Sequence, residues 1–544
     1  MYQIVRLMKK IFLIISVLWS VFVFGQIEDA WVYFNDKPEA DFYLNNPLEM
    51  LSQKALDRRT NQNIAVDYTD VPIHQPYIDA LNNTGTVIVL AKSKWMNAVH
   101  IQGTFSSISD LVNFSFVESI QYANKALNNS AKPNLNSKKH YPNQKNLNLA
   151  ENFAYGNSDN QIEIHNGHLL HQEGFTGTGK IIAVLDNGFI GVNTALPFER
   201  LHNENLILGG YDFVNRSDDF YNGGNHGTRV LSVIGAYQEN ELIGTAPNAS
   251  FYLFITEDNN SETPLEESLW VEAAETADSL GVDIINTSLG YATFDNPDYN
   301  YTYSDMDGIT TFISKGLNFA YSKGIICITS AGNYGNASWQ YITSPADALG
   351  AFSVGAVNNI GEYASFSSIG PTADNRIKPD VVAQGVASVN ALPNGAINTS
   401  NGTSFSAPII AGLTACLWEA FPDLNNEQLM QLIRESAHLY ENPTFQLGYG
   451  IPDFYQAYQN LNKENPDKNI FVLYPNPASD QLYIYNNSLN ENNYIRLFDI
   501  SGKQVLEQSF QNNSSIDLKN LEVGLYIYKV LIGREVKTGK ILKK

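Results

Sequence analysis

From about residue 161 to residue 461 the chain repeats one pattern, in which short apolar runs (IIAVL, SFYLFI, VDIINTSLG, GIICITSAGN, AFSVGAV) are separated by longer stretches with helical spacing. Runs without polar alternation predict strands covered on both faces, so this region is expected to be α/β, with a doubly wound, mainly parallel sheet between helices. Two polar stretches flank it. Residues 125–160 (including NNSAKPNLNSKKHYPNQKNLN) and 462–469 (with Pro466) lack any apolar period and are expected to be linkers. Residues 26–124 mix a strand-like run (TGTVIVLAK) with helical ones (NPLEMLSQKALDRR, PYIDALNN), which predicts a small α+β domain. Residues 470–544 show short alternating strands (DQLYIY, YIRLFDI, GLYIYKVLI) between Asn, Ser and Gly turns, the pattern of a small β-sandwich.

The N-terminus differs from all of these. Arg6, Lys9 and Lys10 precede an apolar stretch from Ile11 to Phe24 that ends at Gly25 and Gln26, the order of a secretory signal peptide over residues 1–25. The stretch is shorter than the roughly 20 residues that span a bilayer, and no comparable run follows, so no permanent membrane span is expected. An uncleaved anchor is the alternative.

Composition narrows the classes. Of 544 residues, 44% are hydrophobic and 17% charged, which is enough apolar surface for several globular domains. The net charge of −22 repels phosphate backbones and argues against a nucleic-acid partner. Only Cys327 and Cys416 are present, both in apolar runs, so buried free thiols are expected and neither a disulfide framework nor a cysteine-ligated zinc can organise the fold.

In an open parallel sheet the ligand crevice lies at the carboxyl ends of the strands. Asp186 follows IIAVL there. His226 opens a helical run in GNHGTRVLSVIGA, where flanking glycines permit close approach of another segment. Ser404 lies in NGTSFSAPIIAG, at the start of an apolar helix with Pro408 expected in its first turn. Alone, the Asp reads equally as a turn cap and the His as an ordinary capping residue. Together they supply what a weakly nucleophilic hydroxyl needs: a base, His226, and a carboxylate that fixes its tautomer. The Ser404 amide and the side-chain amide of Asn333 in SAGNYG are candidate donors to an oxyanion.

The chain order Asp, His, Ser, together with the motifs AVLDNGF, NHGTRV, SAGN and NGTSFSAP, resembles the subtilisin-like serine proteases, the subtilases, over roughly residues 165–460. The resemblance implies a triad of Asp186, His226 and Ser404, an oxyanion role for Asn333, and a substrate-binding edge at Ser288, Leu289 and Gly290, where an extended peptide pairs as an added strand. GYGIPD, residues 448–453, matches the usual close of such domains. Residues 26–124 stand where these proteases carry a propeptide, with an unrelated accessory domain as the alternative. The C-terminal part, opened by YPNPASDQLYIY and closed by LEVGLYIYKVLIGREVKTGKILKK, is similar to the sorting domain read by the type IX secretion machinery of Bacteroidetes. An adhesive or carbohydrate-binding module is its alternative. The implied protein is a secreted or cell-surface endopeptidase, exported through the periplasm of a Gram-negative bacterium, with protein or peptide substrates. A surface-binding protein that keeps the fold without useful activity is the rival.

Other motifs lead nowhere. His165, His168 and His171 recur at helical spacing but are expected to form a plain polar face. Asp305 to Gly308 lacks the first ligand and closing Glu of an EF-hand. GFTGTGK precedes its strand, the wrong order for a dinucleotide loop. The chemistry requires no cofactor, and no metal ligands are assigned; structural calcium is common in the family but has no assignable site here.

Overall fold

The computed structural model describes residues 26–128, 153–464, 471–474, 478–486, 493–510, 514–532 and 535–544. The expected signal segment and most of the 125–160 stretch lie outside these. The described chain divides into two compact units between Tyr458 and Gln459.

The first unit begins with an antiparallel sheet of β1 (Ile27–Phe34), β2 (Val87–Ser93), β3 (Ala98–Thr104) and β4 (Val117–Tyr122), in the order β2-β3-β1-β4. Strand β1 shows why this sheet does not stand alone. Its period of two sends Ala30, Val32 and Phe34 into a core with Ile78, Leu81 and Ile101, while Trp31 enters a different core. That second core belongs to the α/β region.

There, β5 (Ile181–Asp186), β6 (Ile207–Asp212), β7 (Ser250–Ile255), β8 (Ile284–Thr287), β9 (Ile326–Ser330), β10 (Ala351–Val357) and β11 (Val381–Gln384) form a seven-stranded sheet. All its pairings are parallel and its order is β11-β10-β9-β8-β5-β7-β6. The direction of winding reverses at β5, between β7 and β8. The expected runs are all strands. Two were missed: β6 (ILGGYD), whose glycines hide its strand character, and the short β11.

Four helices cover the sheet. α1 (His226–Gly235) and α4 (Thr403–Ala420) pack together on one face, and α2 (Pro264–Leu280) and α3 (Phe312–Ser322) on the other. The N-terminal sheet lies against α2 and α3. Trp31 stacks on Phe312 with centroids 4.7 Å apart and donates to Ser268 Oγ at 2.8 Å. Charged groups cross the same boundary. Asp278 pairs with Arg58 and Arg59, and Arg59 also pairs with Asp70, all buried. Glu275 accepts from Ser93 Oγ and from the amides of Lys94 and Trp95.

Three local expectations are corrected. Pro408 is the sixth residue of α4, not part of its first turn. His165 and His171 are fully buried instead of forming a polar face, because the helix breaks between Glu163 and Gly167 and turns them inward. His165 meets the Pro452 carbonyl, and His171 meets Tyr155 Oη and the Thr245 carbonyl. The 462–469 stretch begins inside a helix, Phe454–Glu464, anchored by buried Phe454 and Ala457. Both cysteines are buried free thiols, as expected.

The second unit holds a three-stranded sheet built from Phe471–Tyr474, Gln481–Asn486 and Ser514–Asp517, and a four-stranded sheet built from Asn493–Phe498, Gln504–Phe510, Gly524–Ile532 and Glu535–Lys543. Leu482, Ile484 and Ile516 of the first share a core with Ile495, Leu497 and Val530 of the second, which makes it a small β-sandwich.

Candidate active site

The loops after β5, β8 and β9 meet the N-termini of α1 and α4 at the winding reversal. Asp186 is the last residue of β5, with every residue of that strand buried. His226 is the first residue of α1. Its Nδ1 lies 2.8 Å from Asp186 Oδ1, which also accepts the Asn187 amide at 2.8 Å. Glycine makes this approach possible: a Cβ on Gly227 would lie 2.9 Å from the Asp186 Cβ. Asn187 Oδ1 accepts the His226 amide at 3.2 Å, which ties the start of α1 to the β5 loop.

Electrostatics follow from this geometry. Burial disfavours the imidazolium, but the charge and hydrogen bond of Asp186 more than offset it, so the pKa of His226 is raised above its ordinary 6.5. Arg229 opposes the rise and Glu257 adds to it. The second oxygen of Asp186 is buried without a hydrogen-bond partner.

Ser404 is the second residue of α4, after Gly402, whose φ is 146°. Its amide therefore has no intrahelical acceptor. Its hydroxyl donates to the Ser288 carbonyl at 3.1 Å and not to His226. Pro408 has no amide hydrogen to offer the Ser404 carbonyl four residues earlier. The Ser288 hydroxyl takes its place, donating to that carbonyl at 2.9 Å. Asn333, after β9, accepts the Thr403 amide at 2.9 Å through Oδ1, which leaves its NH₂ group to point elsewhere.

Asp186 and His226 are thus in contact, Ser404 is bonded to Ser288 in both directions, and Asn333 is held to the residue before Ser404. Leu289 and Gly290 continue the Ser288 segment, with Ser330 Oγ donating to the Leu289 carbonyl at 3.4 Å. Sequence reasoning missed Arg229, whose guanidinium lies over the Phe405 ring at 5.3 Å and bonds Asn390 and Ser400. It also missed Glu257, two residues past β7, which takes the Tyr291 hydroxyl at 2.7 Å. Neither carries a signal in a single sequence. Among the described residues, no group of histidine, cysteine and carboxylate side chains is arranged to hold a metal ion.

Residues 177–450 match the subtilase family. The chain belongs to the subtilase family. Two further regions of this subtilase match: residues 29–140 the peptidase S8 propeptide domain of Bacteroidota, and residues 472–544 the secretion system C-terminal sorting domain. Subtilisin NAT of Bacillus subtilis subsp. natto is 31% identical over 293 residues, covering 53% of this chain and 68% of the relative. The thermostable alkaline protease of Halalkalibacterium halodurans is 29% identical over 285 residues, covering 52% and 69%. Among solved structures, MycP1 of Mycobacterium smegmatis aligns with TM-score 0.43 and 21% identity, over 58% of this chain and 89% of that one. The subtilase is a serine endopeptidase, with protein substrates and a tail that directs export.

Proposed function

We propose that this subtilase hydrolyses peptide bonds through an acyl-enzyme on Ser404. The observation that carries the reading is the 2.8 Å contact of His226 Nδ1 with Asp186 beside a serine at a helix N-terminus. With Nδ1 donating to Asp186, Nε2 is the basic nitrogen. To react, the Ser404 hydroxyl leaves the Ser288 carbonyl and gives its proton to His226 Nε2 as Oγ attacks the scissile carbonyl carbon. The oxyanion is received by the Ser404 amide and the Asn333 NH₂ group. His226 then protonates the leaving amine, and water repeats the sequence to release the acid. Residues 288–290 pair with the substrate backbone.

The flanking segments complete the proposal: residues 26–124 fold with the protease and inhibit it until removed, residues 125–160 and 462–469 are the links, and residues 470–544 are read by the export machinery after passage through the periplasm. A serine-directed phosphonate should label the secreted protein at Ser404, as located by mass spectrometry, and Ser404→Ala should abolish both labelling and peptidase activity. Labelling elsewhere, or turnover that survives Ser404→Ala, would overturn the assignment, and a secreted protein with neither labelling nor turnover would favour the binding-protein rival.

A further inference from the structure

Arg229 lies one turn along α1 from His226, and among the described residues it forms no ion pair with a carboxylate. Its partners are neutral. Nε donates to Asn390 Oδ1 at 3.1 Å, Nη2 donates to Ser400 Oγ, and the guanidinium lies over the Phe405 ring at 5.3 Å. Two of these contacts flank Ser404, since Ser400 precedes it by one helical turn's worth of chain and Phe405 is the residue after it. The same Phe405 ring is 5.8 Å from the His226 ring, centroid to centroid. From the helix that carries the histidine, one guanidinium thus touches the chain on both sides of the serine.

Its acceptors are held in place. Asn390 and Ser400 belong to a hairpin of Ser388–Ala391 and Ile397–Ser400, in which Asn390 Nδ2 donates to Ser400 Oγ at 2.8 Å and to the Ser388 carbonyl at 2.9 Å. The hairpin is fastened to α1 a second time, because the Ser232 hydroxyl accepts the Ala391 amide at 2.8 Å and donates to the Arg229 carbonyl at 2.6 Å. Between Ser400 and α4 the chain passes through Gly402, the residue type with the most conformational freedom, so contacts on either side of that glycine help to fix where Ser404 sits.

The charge itself works against the base. Arg229 opposes protonation of His226, whereas Asp186 at the end of β5 and Glu257 after β7 favour it. A neutral side chain could pack on Phe405 without that opposition. What arginine adds is a planar fork that bonds two acceptors in fixed directions and stacks on an aromatic face.

We infer that Arg229 is a positioning residue, which locks α1 to the chain on both sides of Ser404 and so sets the reach of the serine hydroxyl to His226 Nε2. The inference rests on the Ser404 reading. In that reading Oγ leaves the Ser288 carbonyl to meet the imidazole, and a misplacement of about 1 Å costs roughly 100-fold in rate.

The test is steady-state kinetics of the full-length enzyme after maturation on one peptide anilide, with kcat expressed per site titrated by the serine-directed phosphonate, so that misfolded protein drops out. Arg229→Met keeps the stem but loses fork and charge, and Arg229→Lys keeps the charge alone. Both should lose about 10- to 100-fold in kcat with KM within about twofold. The pH midpoint of kcat/KM should rise in Arg229→Met and stay in place in Arg229→Lys, since only the first removes the charge that opposes the imidazolium. Ser400→Ala, a milder change at the far end of the fork, should lower kcat in the same sense, and adding it to Arg229→Met should cost little more than Arg229→Met alone. An unchanged kcat in Arg229→Met, a loss confined to KM, an unmoved pH midpoint in that variant, or losses that multiply in the double variant would overturn the inference. Should Arg229→Met yield no titrated sites, Arg229→Lys decides: wild-type kcat overturns the inference and the stated loss upholds it. A wild type that the phosphonate does not label refutes the Ser404 reading instead.

Discussion

His226 gains its proton more readily than a free imidazole because Asp186 is 2.8 Å away. Catalysis as proposed needs the neutral ring, so kcat/KM should climb with pH through a midpoint above 6.5. Asp186→Asn should bring that midpoint down along with the rate, and an unmoved limb would show that another group controls it. Asn333→Ala removes one oxyanion donor and should cost about 100- to 1,000-fold in kcat, read by steady-state kinetics. A large rise in KM with kcat intact would make Asn333 a substrate-binding residue instead. Asp186 and Asn333 could be singled out in the sequence because each follows an apolar run, and His226 and Ser404 because each opens one. Glu257 could not, since its place beside the site depends on loops from other parts of the fold.

Among elements, α2 is the one with two lives. In the precursor its Asp278 sits between Arg58 and Arg59, so Asp278→Ala leaves the Arg58 guanidinium buried without its carboxylate and Arg59 with Asp70 alone. Denaturant unfolding of the precursor, made inactive by Ser404→Ala, should lose about 3–5 kcal/mol from this change. Glu275 gives the same boundary a pH dependence. Burial pushes its carboxyl up from about 4.5 to about 7, against the opposing pull of Lys94. Below about pH 7 the docked carboxyl takes up a proton that it gives back when the N-terminal domain leaves. Its own contribution to binding is therefore greatest below about pH 4.5 and is lost as pH rises through about 7. Separately added residues 26–124 should inhibit the mature enzyme more strongly at pH 5 than at pH 8, and Glu275→Gln should flatten the difference. Equal inhibition at both pH values would remove Glu275 from this role. The sequence disclosed β2 and five strands of the parallel sheet, but not β1, β3, β4, β6 or β11, nor that β1 faces two cores, because Glu28 and Asp29 interrupt its apolar run and the pattern does not say which partner covers which side.

At the scale of the whole molecule, the sandwich of residues 471–544 carries its own apolar core, and its match is to a sorting domain. Removing residues 470–544 should leave the recombinant protease with its activity while trapping it in the periplasm of the producing bacterium, as followed by immunoblotting of cell fractions. Normal delivery of the truncated protein to the medium would refute the export role. Loss of substrate binding would point to an accessory module.

The proline at 408 reaches further than its helix. By withholding one donor it hands the Ser404 carbonyl to the hydroxyl of Ser288, which ties the proposed nucleophile to the edge proposed to grip the peptide. A substrate that tugs residues 288–290 toward itself tugs the nucleophile with it. Grip and attack are then geared together, and a peptide that docks out of register misaligns the very hydroxyl that would cut it.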